Sequence, residues 1–74
     1  MIIVNTSMHD VDSVTAVRYY PTTKNGVVMR VRQNDEDSTA ETTFTLFFGD
    51  GDTQTRRALE LFRALGGQDV DIVE

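Results

Sequence analysis

The densest chemistry-capable side chains in this 74-residue chain are carboxylates: Asp35, Glu36 and Asp37 with Glu41, then Asp50 with Asp52. Clustered carboxylates suit hard cations such as calcium. The spacing does not, because neither stretch has the glycine at the sixth loop position followed by the distal glutamate that an EF-hand loop requires. They read as solvated acidic turns. His9 beside Asp10 and Asp12 is the second constellation, since a neighbouring carboxylate raises an imidazole pKa and fixes its tautomer, as in a general base. Its nucleophile would have to be Ser7, Ser13 or a threonine, and no elbow or glycine-rich oxyanion loop marks one. Gly49-Asp50-Gly51 shares only its glycines with a phosphate loop, and its acid repels phosphate. With no cysteine and a single histidine, thiol catalysis and thiolate metal sites lack raw material. The chain therefore reads as a non-enzyme, with no catalytic residues, no metal site and no cofactor.

Charge is more informative than catalysis. The net charge is −5, from 12 acids against 7 bases, which disfavours nucleic-acid backbones and anionic membranes as partners. The surplus is local: residues 34–52 hold six acids and no base, whereas residues 1–33 and 53–65 are each +2 and residues 66–74 are −3. Asp35, Glu36, Asp37, Glu41, Asp50 and Asp52 are thus predicted to form an acidic edge that meets a basic protein surface. No apolar run approaches the ~20 residues needed to cross a bilayer. Met1-Ile2-Ile3-Val4 lacks the basic n-region of a secretory signal, so a cytoplasmic location is expected.

The elements that must carry these groups follow from hydrophobic period. The chain is short enough for one domain, 1–74. Met1–Val4 reads as a short strand and Asn5–Asp12 as a loop. In Ser13–Tyr20, Thr15, Val17 and Tyr19 alternate against Val14, Ala16, Arg18 and Tyr20, which predicts a strand ended by Pro21. Asn25-Gly26 tolerates positive φ and predicts a hairpin turn. Val27–Gln33 is the cleanest strand, with Val27, Met29 and Val31 on one face. Asn34–Glu41 reads as a solvated loop or hairpin end, and Thr42–Phe48 as a third strand. Asp52 or Thr53 is predicted to cap a helix reaching about Leu65, with Ala58, Leu61, Phe62 and Leu65 in one stripe. Gly66-Gly67 stops it. Val70, Ile72 and Val73 could add a short strand or stay loose. The predicted fold is α+β: a small antiparallel sheet of three to five strands with one amphipathic helix packed on one face.

That helix is expected to meet Val27, Met29, Val31, Phe44, Leu46, Phe48 and the apolar half of Ser13–Tyr20. The opposite face keeps Arg18, Tyr20, Arg30, Arg32 and Phe47, a mixture of guanidinium and aromatic groups that suits a contact surface. It could serve a second copy of the chain, as a homodimeric structural or accessory module. It could also stack single-stranded nucleic acid, a reading the net charge opposes. The hairpin, the acidic turn, the stretch Thr43-Phe44-Thr45-Leu46-Phe47-Phe48-Gly49-Asp50 and the single helix resemble small bacteriophage-encoded proteins, including host-defence inhibitors of the anti-CRISPR kind. That resemblance implies a non-enzymatic protein, acting in the host cytoplasm, that occludes a basic surface of its target.

Overall fold

A computed structural model describes residues 7–35 and 38–74. Three strands, β1 (Val11–Tyr20), β2 (Gly26–Asp35) and β3 (Ser38–Phe47), are followed by one helix, α1 (Asp52–Ala64), and a 3-10 turn at Asp69–Asp71. The strands form an antiparallel meander in the order β1-β2-β3, so the α+β class with an antiparallel sheet stands. The strand expected at Met1–Val4 lies outside the described residues.

The strands are longer than their apolar runs. Asn34–Glu41, expected as a solvated loop or hairpin end, is the end of the β2–β3 hairpin, and most of it is ladder: Asn34 pairs with Thr39 and Asp35 with Ser38. Thr39, Thr42 and Thr43 are β-branched, and pairing satisfies backbone groups that a polar loop would leave to water. β1 likewise starts at Val11, two residues earlier than its alternation suggests.

Alternation fails within β1 for an identifiable reason. The register shifts between Val11 and Ser13 and again between Val14 and Ala16, each shift setting two β1 residues against one on β2, as a β-bulge does. Cross-strand partners share a face. Val14, Val17 and Tyr19, opposite Val31, Met29 and Val27, therefore all lie on one side, although Val14 and Val17 are three residues apart. Val14 was expected on the other side with Ala16 and Arg18.

Pro21–Asn25 form the β1–β2 turn. Its left-handed residues are Lys24 (φ 53°) and Asn25 (φ 51°), not Gly26, which already belongs to β2. After β3, Gly49 and Gly51 at φ 94° and 111° swing the chain into α1. Gly51 itself occupies the N-cap position, and no side chain caps the helix. The expected caps, Asp52 and Thr53, are instead its first residues, so Asp52 acts on the helix dipole by charge alone. At the far end Gly66 N–H donates to the Arg63 carbonyl at 3.0 Å and Gly67 N–H to that of Phe62 at 2.9 Å, a Schellman closure with Gly66 at φ 93°. A methyl group on Gly67 would overlap the Phe62 ring.

The core is compact and off-centre. Tyr19, Val27, Ala58 and Phe62 are buried together, with Val17, Phe48, Leu59, Leu61, Leu65 and Ile72 packed around them. The Tyr19 and Phe62 rings lie 5.8 Å apart, tilted by 38°, within the favourable range for aromatic pairs. Ile72 bridges Tyr19 in parallel, and Val73 N–H donates to the Tyr19 carbonyl at 2.8 Å, so the C-terminal segment tethers the outer edge of β1. Met29, Val31, Phe44 and Leu46, expected beneath α1, lie outside the cluster on which α1 packs, although Val31 is itself buried. A helix of 13 residues is about 20 Å long, and the turn that launches it anchors α1 to one end of the sheet only. Leu46 is left 54% exposed.

Candidate docking surface

The two ends of the helix-side face differ in how completely they are closed. At the covered end, Asn25 is buried and holds three elements together. Tyr19 Oη donates to Asn25 Oδ1 at 2.5 Å and Asn25 Nδ2 donates to the Gly49 carbonyl at 2.6 Å. Thr55 Oγ1 on α1 lies 3.4 Å from the same Oδ1 and 3.0 Å from the Gly51 carbonyl, its one hydrogen shared between the two acceptors. The Gly49 and Phe48 amides return the contact, donating to the carbonyls of Lys24 at 2.8 Å and Asn25 at 3.4 Å. Among the described residues no buried side-chain nitrogen or oxygen is left without a partner. Burial pushes the Tyr19 phenol above its ordinary value of 10.0, partly offset by the Thr55 hydroxyl. These groups are already committed to one another, and the arrangement is a joint rather than a reactive site.

At the other end the same face is open. Met8, Val11, Val14, Met29, Val31 and Phe44 line an apolar groove of about 400 Å³. The bulges on β1 create it, because they turn Val11 and Val14 toward Met29 and Val31. Val11 and Val14 are each half exposed. A second depression of about 360 Å³, on the outer side of α1, is lined by Asp52, Arg56, Glu60 and Arg63 with Thr55 and Leu59. It is a solvated, charge-balanced helix face.

Beside the groove runs the outer edge of β3. All ten of its residues pair with β2 without a register shift, and no described element pairs with its other side. The strand STAETTFTLF contains one charge, Glu41, and neither proline nor lysine. Bulges, prolines and lysines are the features by which proteins blunt exposed edges, and β3 has none of them. Its Phe44 is half-buried at the groove, while Leu46 and, on the opposite face, Phe47 are exposed.

The predicted acidic edge is placed in parts. Glu36 and Asp37 lie outside the described residues, as does the Asp35 side chain. Glu41 sits mid-strand on β3, 4.0 Å from Arg32. Asp50 pairs with Lys24 at 3.0 Å beyond the far end of β3, near Asp52 at the start of α1. Glu41 is six residues from Phe47, roughly 20 Å along β3, so it is not gathered with Asp50, which lies beside the β1–β2 turn that holds Lys24. On the face away from the helix, the pairs Arg18↔Val28↔Thr45, Ala16↔Arg30↔Thr43 and Ser13↔Arg32↔Glu41 form rows. Arg18, Arg30, Arg32, Tyr20 and Phe47 thus share one face, as expected. Arg32 also lies 4.0 Å from Asp12, and threonines separate the remaining arginines from the β3 edge. His9 is exposed, and its carbonyl accepts from Gln33 Nε2 at 2.9 Å.

Two features escaped the sequence. Asn25 reads as a turn residue, and only its burial shows that it is a joint. The groove depends on bulges that no alternation signals. Among the described residues no group of three or more histidines or carboxylates could hold a metal ion, and no helix is long and apolar enough to cross a membrane. Compared with known protein families, curated proteins and solved structures, the chain matches none.

Proposed function

We propose that this protein is a non-enzymatic binding module that docks an extended segment of a partner protein along β3 by strand addition. The observation that carries this reading is the unbulged ten-residue outer edge of β3, with which no other described strand pairs, lying next to an apolar groove. Strand addition draws affinity from main-chain hydrogen bonds and specificity from pockets that receive alternate side chains. β3 supplies the first, and the groove with Phe44 and Leu46 supplies the second. Action by occupancy follows, since a partner segment held on the sheet is denied to other contacts. The polar groups of the covered end are spent on the Asn25 joint, leaving no constellation there for catalysis.

Edge variants test the reading. Thr43→Lys and Leu46→Lys place a charge on the free edge at exposed positions, where the fold tolerates it. Arg57→Ala on the outer side of α1 serves as control. Tagged protein should lose its co-purifying partner with either edge variant and keep it with the control. Partner retention by both edge variants, or equal loss with Arg57→Ala, would remove β3 from the binding surface.

A further inference from the structure

Resting on the strand-addition reading, we infer that the segment received by β3 is cationic, with a basic residue opposite Glu41 and another beyond Phe47, and apolar residues between them. From Ser38 to Asp52, across β3 and the turn after it, the chain carries Glu41, Asp50 and Asp52 and no base. An added strand would lie about 4.8 Å from β3, inside the ~8 Å screening length of physiological salt, so Glu41 acts on it directly, while Asp50 and Asp52 stand past the end of β3. Arg30 sits on β2, roughly 10 Å from an added strand, whereas the Arg32 and Lys24 side chains reach Glu41 at 4.0 Å and Asp50 at 3.0 Å in exposed pairs that an incoming base would have to share or displace.

The pairings specify more than net charge. Glu41 is 4.0 Å from Arg32, a loose contact in which the carboxylate can also accept from an incoming lysine or arginine, while Arg32 keeps Asp12 at 4.0 Å on its other side. Thr42, Phe44 and Leu46 share the groove face, opposite Val31, Met29 and Val27. Residues set against those three would rest on apolar surface and should be apolar. Past Phe47 the incoming chain meets Asp50, whose side chain is 77% exposed despite its pairing with Lys24, and Asp52. A second copy of this chain would satisfy the hydrogen bonds of the edge but not its charge, because antiparallel self-pairing lays one surplus of acid beside another.

Two probe peptides decide the matter, both alternating valine and threonine, one flanked by lysine pairs and the other by glutamate pairs. Binding is read by fluorescence anisotropy and located by amide chemical shifts. The lysine-flanked peptide should shift β3 amides and bind roughly tenfold tighter than its counterpart at low salt, the difference shrinking as salt rises. The double variant Glu41→Lys, Asp50→Lys should abolish that preference. Equal binding of both peptides at β3 would overturn the cationic partner while leaving strand addition intact. Shifts confined to β1 or α1 would overturn both. Failure of either peptide to bind, with β3 amides gaining protection as the protein alone is concentrated, would assign the edge to a second copy and overturn the inference.

Discussion

The sheet has two ends built from similar residues and finished differently. At the Tyr19–Val27 end, α1, the C-terminal segment and the Asn25 hydrogen bonds close the layer, and Ala58 and Phe62 are fully buried. At the Val14–Val31 end the same apolar face continues beyond the cluster that α1 packs on: Val31 is buried, but Val11 and Val14 are half exposed, and together with Met29 and Phe44 they line a groove. Apolar content does not separate the two. Reach does: the tight passage through Gly49 and Gly51 fixes where α1 begins, and one helix cannot cover a sheet of ten-residue strands. The lesson is that stability and binding are divided along the strands, so that substitutions at one end should leave the other property nearly untouched.

The sharpest way to break that division is Phe62→Ala. It removes the ring that packs on Tyr19 and Gly67, at a cost of about 3–5 kcal/mol. A domain this small has little more than that in total, so chemical denaturation should show it largely unfolded. Asn25→Ala comes next. It leaves the Tyr19 hydroxyl and the Gly49 carbonyl unpaired and places alanine at φ 51°, for about 3 kcal/mol. Asn25→Asp should recover little, since a carboxylate cannot donate to the Gly49 carbonyl.

Tyr19→Phe is smaller, about 1–2 kcal/mol near neutral pH, and it carries a pH signature. Burial raises the folded-state pKa of Tyr19 above 10.0, so the folded chain holds this proton to higher pH than the unfolded chain does. The corresponding stability is complete below pH 10 and is lost as pH climbs through the raised value. Urea midpoints measured from neutral pH to about pH 11 should fall less steeply in Tyr19→Phe than in the wild type. Met29→Ala, at the open end, closes the series. Partly buried in the groove, it should cost about 2 kcal/mol, the low end for such a truncation, while weakening partner binding. A loss as large as that of Phe62→Ala would mean the groove is core.

Much of the fold was legible in the residues. The alternation of Val27–Arg32 and the Ala58, Leu61, Phe62, Leu65 stripe gave β2 and α1 with nearly their observed bounds, because one buried face imposes its period on a strand or helix. The bulges in β1 were not legible, since a bulge is a property of pairing with β2 and not of β1 alone. Nor was the partial cover, which depends on where the chain leaves β3. The arginine face followed directly from period two. The acidic residues were found by composition, but their separation emerges only from the structure, which puts Glu41 within β3 and Asp50 past its end beside Lys24.

Residue-resolved hydrogen exchange along β3 tests the docking edge most directly. In an antiparallel strand, alternate amides point inward to β2 and outward from the edge. Every second amide from Thr39 to Leu46 should exchange rapidly in dilute protein and slow severalfold when the lysine-flanked peptide is added, while the intervening amides stay protected throughout. Uniform protection of β3 in dilute protein, or outward amides unchanged by the peptide, would show that the edge is already filled or is not where partners bind.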